Sequence, residues 1–263
     1  MIRSLLIRGM IAGLVAGLIG FGFARAFGEP SIARAIAFEE RHEHAEAAHE
    51  HEHEHADASA NAAHSHDHGD EALVSRDTQA GLGLLTGVAV FGTALGGLFS
   101  LVFAFAYGRL GALHARGTSA LLALFGFVSV AIVPFLKYPP NPPAVGNPET
   151  IGPRTALFFC MVAISLVAAV FAVRLQRRMQ AQHGGWNATL IAGAAYIVVI
   201  AMAQVALPRV DEVPADFSAS LLWNFRVAAI GIQALIWTTL GLLFGALAAR
   251  ELERPAVRRM AAA

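Results

Sequence analysis

The sequence predicts an all-α protein, a polytopic transmembrane helical bundle with a disordered histidine-rich outer loop. Three observations carry that expectation. Of 263 residues 56% are hydrophobic and only 14% charged, which is too little charge to cover a soluble domain of this size. The apolar residues come in uninterrupted runs long enough to cross a bilayer, and they show no strand alternation. The charge that remains is segregated. The chain has 19 basic and 19 acidic residues, yet Glu39 to Glu71 holds eleven of the acids and only one base, Arg41.

In chain order, residues 1–27 read as a first transmembrane helix or a signal-like segment, with the apolar core from Ser4 to Phe23. Arg8 lies one turn inside, where it can snorkel to the headgroups. Ala24-Arg25-Ala26 is a small-residue end such as a cleavable signal carries, although Arg25 sits beside the would-be site. Gly9, Gly13 and Gly17 recur every four residues and favour retention, because that spacing lets another helix approach closely. Residues 28–80 form the His/Glu-rich non-cytoplasmic loop. Residues 81–249 form a five-helix bundle with spans at Gly81 to Tyr107, Thr118 to Leu136, Thr155 to Val173, Asn187 to Leu207 and Val227 to Ala249. Residues 250–263 are a basic cytoplasmic tail. Six spans are expected in all, or five if the first is cleaved.

Orientation follows the arginines. Arg3 and Arg8, then Arg109 and Arg116, then Arg174, Arg177 and Arg178, then Arg250, Arg254, Arg258 and Arg259 fall on one side if both termini are cytoplasmic. The segments 28–80, 137–154 and 208–226 then lie outside a bacterial inner membrane.

Nine of the 11 histidines stand in that first outer segment: His42, His44, His49, His51, His53, His55, His64, His66 and His68. Neutral imidazole ligates zinc, copper, nickel, cobalt and iron, and interleaved carboxylates add charge and oxygen donors. His51 and His55 share a face in a helix, and His49 and His51 share one in an extended chain. Chelating pairs therefore exist in any conformation, as suits a fast-exchanging scavenger. The plainer alternative is a solvated low-complexity linker. The residues say transition metal without choosing among cobalt, zinc and nickel.

The spans contain no histidine for a bis-imidazole haem site and no acid or base at mid-membrane for a proton relay. A lone cysteine, Cys160, says nothing about compartment. No phosphate-binding GxxxxGK[ST] loop is present, so ATP hydrolysis by that route is excluded. No tightly bound cofactor, no enzyme activity and no nucleic-acid partner is expected; the surroundings are membrane lipid. Two ordered outer connections remain, the proline-rich Lys137 to Glu149 and the aromatic, acidic Pro208 to Arg226. Glu149, Asp211, Glu212 and Asp216 could form a vestibule that receives a cation from the histidine loop. Met202 and Gln204 could extend a path, or could equally serve packing.

These connections carry a resemblance. Phe135-Leu136-Lys137-Tyr138-Pro139 with Asn141-Pro142-Pro143-Ala144-Val145-Gly146 and Thr150-Ile151-Gly152 resembles the CbtA family, described as a probable cobalt transporter subunit. Leu207-Pro208, Glu212-Val213-Pro214-Ala215-Asp216-Phe217, Leu222-Trp223 and Phe225-Arg226 resemble it too, as do Val74-Ser75-Arg76 and Gln79-Ala80-Gly81. The resemblance covers nearly the whole chain. It implies cobalt uptake, associated with vitamin B12 synthesis, and a small single-span, histidine-bearing CbtB partner. A non-transporting metal-binding or assembly subunit, and an efflux protein, are the rival expectations.

Overall fold

The computed structural model describes residues 2–54 and 75–252, which are helical throughout apart from connecting turns and loops and include no strand. The order is α1 (Ile2–Phe23), α2 (Glu29–Glu54), α3 (Arg76–Thr78), α4 (Leu84–Ala106), α5 (Ala115–Gly126), α6 (Val133–Lys137), α7 (Ile151–Ala206) and α8 (Ala219–Leu252). Wider π-helical turns at Ala24–Gly28, Gln79–Gly83 and Phe127–Ile132 join α1 to α2, α3 to α4 and α5 to α6 without breaking the rod.

Among the described residues, five helices are long and apolar enough to cross a membrane. The run Pro148–Ala206 contains both expected spans four and five. Its backbone breaks at Gly184, whose φ of 75° and ψ of 162° lie where glycine is at home and side chains are not. There the chain folds back. Ser165 and Tyr196, 31 residues apart in sequence, bring their hydroxyls to 2.8 Å. A straight helix would hold them roughly 46 Å apart. Met161 and Ala168 of the first arm pack with Ile200 of the second in one buried cluster.

The histidine-rich segment departs from expectation. Residues 29–54 were read as disordered loop, but they continue the first helix, so α1 and α2 form one rod from Ile2 to Glu54. Nothing between Phe23 and Glu54 is proline inside a turn that would stop a helix except Pro30, and that residue enters just after the π turn, where a missing N–H costs least. Residues 76–80 are likewise helical rather than loop.

The bundle core is built from α1, α4, α5 and α8. Leu5, Phe99, Phe103, Ile236, Leu240 and Phe244 are buried together, with Phe103 and Phe244 edge to face at 5.0 Å. The α1–α4 seam is made of glycine. A Cβ on Gly92 would fall 2.5 Å from the carbonyl oxygen of Gly13, and one on Gly17 would fall 2.6 Å from that of Val88. On the other side of the bundle, Ser119 of α5 donates its hydroxyl to the Gly241 carbonyl of α8 at 2.7 Å. The outward surface is apolar: Val205 is 87% and Phe105 72% exposed. In water such a surface would aggregate; against lipid it is at home.

The bundle has two polar rims. At one, Arg8 meets Glu251 at 2.5 Å instead of reaching alone for headgroups, and Arg177 donates to the Arg109 carbonyl. At the other lie α2, the proline-rich loop and the 207–218 loop.

Candidate functional site

The second rim gathers most of the residues that carry chemistry. The foot of α2 lies against the 207–218 loop. Ala35 shares a buried cluster with Val145, Phe217, Leu221 and Leu222, and Phe38 stands edge-on to Phe217 at 5.1 Å. One turn further along, His42 Nε2 lies 2.6 Å from Asp216 Oδ2, with its ring stacked near Phe38 at 4.4 Å. His42 and Asp216 form a latch between the histidine-rich helix and the bundle.

The base of that helix is tied a second way. Glu29, only 11% exposed along its side chain, accepts from Arg76 Nη2 at 2.6 Å. Ser75 caps α3 by accepting from the Thr78 N–H at 3.4 Å. Arg76 is thereby held at the foot of α2.

The four acids expected to form a vestibule do not converge. Glu212 Oε2 accepts from the Asn147 N–H at 2.8 Å and from the Thr150 hydroxyl at 2.9 Å, with Arg154 Nε at 3.5 Å. Those hydrogen bonds, with a smaller contribution from Arg154, hold its carboxyl below the usual carboxylate range. Glu212 clamps two loops together. Asp216 belongs to the latch. Glu149 is exposed in the first turn of the 3-10 helix Pro148–Thr150, which Asn147 caps. Asp211 is exposed at the edge of a cavity. Gln204 donates to the Val133 carbonyl at 3.3 Å, and its own carbonyl accepts from Lys137 at 2.5 Å. Met202 is 58% exposed on the outward face.

His44 is exposed one turn-half beyond the latch. His49, His51 and His53 stand on the backbone of α2, and His55, His64, His66 and His68 lie outside the described residues. Among the described residues, no three metal-type side chains converge.

What sequence reasoning missed is the role of the neighbours. Lys137 donates to Gln204, Tyr138 donates its hydroxyl to the Pro208 carbonyl at 2.9 Å, and Arg226 Nη2 donates to Asn141 Oδ1 at 2.9 Å. With Asn147 and Thr150 on Glu212, these bonds stitch the two loops across the rim. The Tyr138–Pro208, Arg226–Asn141 and Thr150–Glu212 bonds each join one segment of the family-like pattern to another, so the pattern was the available signal.

Comparison with known families decides the membership. A family model for CbtA, described as a probable cobalt transporter subunit, matches residues 2–249. The chain belongs to the CbtA family. In this CbtA chain the match begins within α1 and ends in α8, so it takes in the glycine seam as well as the stitched rim. Neither the curated proteins nor the solved structures yield a match. Membership and the apolar helices together describe a multi-pass membrane protein, named as one subunit of a transporter.

Proposed function

We propose that this CbtA chain is the membrane-embedded subunit of a divalent transition-metal uptake system in the bacterial inner membrane, with cobalt as cargo. The helical arms on either side of Gly184 each cross the membrane, giving six crossings with both termini cytoplasmic. The rim bearing α2 faces outward. The segment His42 to His68 captures the ion there, and it acts with a small single-span, histidine-bearing CbtB-like partner. The chain works without a tightly bound cofactor and is not an enzyme.

One observation carries the capture role: the histidine-rich stretch begins as a helix continuous with the first span and latched by His42 and Asp216 to the 207–218 loop. The family description supports cobalt, and the noncommittal donor set also accommodates zinc or nickel. A second reading, a membrane-anchored metal buffer or assembly subunit, is favoured by the lack of any acid or base at mid-membrane in the expected spans. Efflux is the weakest of the three, since a capture segment belongs on the side from which ions are taken.

Radioactive cobalt uptake in cells expressing this chain alone, then with the small partner, separates the readings. Deleting Arg41 to Gly69 is expected to raise the half-saturating metal concentration and leave the maximal rate nearly intact. Imidazole ligates only when neutral, around an unperturbed pKa of about 6.5. The advantage of the intact chain should therefore shrink as external pH falls from about 7.5 to about 5.5. A collapsed maximal rate would put the segment in the path, and no uptake with or without the partner would leave the buffer reading.

A further inference from the structure

The stitched rim encloses a cavity of about 510 Å³ whose polar lining includes two guanidinium groups, Arg154 and Arg226. Each has already spent part of its donor fork. Arg226 gives Nη2 to Asn141, and Arg154 gives Nη2 to the Asn147 carbonyl at 3.2 Å. In both side chains the Nε atom is buried without a hydrogen-bond partner. A buried cationic donor left unpaired is costly, more so than a neutral one.

The carboxylates nearby do not answer that demand. Glu212 is occupied by Asn147 and Thr150, and it approaches the Arg154 Nε only to 3.5 Å, without hydrogen-bond geometry. Asp211 also lines the cavity, but among the described residues it makes no ion pair with either arginine. Phe135, Phe158 and Val210 supply apolar wall, which lowers the local dielectric and strengthens a charge-assisted bond made against it. Arg154 and Arg226 stand beside Asp211 and Glu212 in the lining.

We propose that this cavity is an oxyanion site, in which a carboxylate or phosphate group is held between Arg154 and Arg226. A guanidinium presents parallel N–H donors that match the oxygens of such a group, and each of these two has given only its Nη2 to the loops. The group can come from a free solute or from a lipid headgroup at the membrane surface. The chemistry is the same for both.

The test uses the full chain purified in an uncharged detergent. Its thermal midpoint is followed against citrate and inorganic phosphate, with chloride matching the ionic strength. In parallel, native mass spectrometry scores retention of phosphatidylglycerol against phosphate-free diacylglycerol. A saturable rise in midpoint identifies a free-solute site, and selective retention of phosphatidylglycerol without a solute response identifies the headgroup. Arg226→Gln should weaken whichever response is seen by about tenfold. Arg226→Lys keeps the charge and removes the planar two-donor fork. It should weaken the response as well, so the test survives if Arg226→Gln fails to fold. No saturable response to either source, or a response undiminished in Arg226→Lys, overturns the site.

Discussion

The α1–α4 seam and the stitched rim hold the same molecule together by opposite means. In the seam the contact is made by the absence of side chains: Gly9, Gly13 and Gly17 face Gly92, Gly96 and Ser100, and backbone meets backbone. At the rim it is made by side chains reaching across loops, as Glu212, Lys137, Tyr138 and Arg226 do. The solvent explains the division. Within a bilayer, lipid tails are as good a partner as leucine, so only close fit distinguishes a neighbouring helix from lipid. At the surface, water competes for every polar group, and a hydrogen bond contributes a net ~0.5–1.5 kcal/mol. The seam depends on shape and tolerates no added atom. The rim depends on many small directional contacts and yields by degrees.

The sharpest break of that contrast is an added side chain in the seam. A Cβ on Gly96 would lie 2.8 Å from Gly13 Cα, and backbone cannot swing aside. Gly96→Leu should cost about 3 kcal/mol or more and lower the thermal midpoint, or prevent recovery of folded protein. Gly87→Leu on the same helix should do neither, because a Cβ there meets nothing within 4 Å. Equal behaviour of the two variants would refute the seam.

The next effect is confined to the rim. Glu212→Gln keeps the shape of the clamp and removes its charge. Hydrogen exchange over residues 141–150 should quicken while the seam keeps its protection. The pH dependence has a definite sign. Because the folded-state pKa of Glu212 is lowered, its contribution is present above the unfolded-state value and is lost as pH falls through the folded one. Wild-type protection of this loop should therefore drop below about pH 4, and the variant should lack that step. An identical acid profile in both proteins would remove Glu212 from the clamp.

The smallest effect belongs to the latch. His42 and Asp216 are 48% and 55% exposed, and exposed pairs are worth ~0.2–1 kcal/mol. A double-mutant cycle with His42→Ala and Asp216→Asn should return a coupling in that range. A much larger coupling would mean that the pair is covered in the membrane by a further partner.

The seam was legible in the sequence and the rim was not. A four-residue glycine spacing on α1 and another on α4 announce close packing directly, because the signal is local and periodic. Glu212 looked like a free acid because its partners, Asn147 and Thr150, lie more than sixty residues away, and nothing local marks a carboxylate as already bound. Arg154 and Arg226 passed as span ends for the same reason. Composition suggests disorder for the histidine-rich segment, but the glutamates and alanines among its histidines are good helix formers, and a preceding span supplies the nucleus that such a stretch lacks alone. The fold-back at Gly184 was expected as a loop between two spans, and it takes a single residue.

Because the histidine-rich stretch grows from the first span without a break, its direction is inherited from the bundle. The rod is held at the α1–α4 glycine contacts and again at the His42–Asp216 latch. From His42 to Glu54 it runs on by about 18 Å at 1.5 Å per residue. The histidines of α2 are thus carried on a strut whose aim is set by two separate contacts.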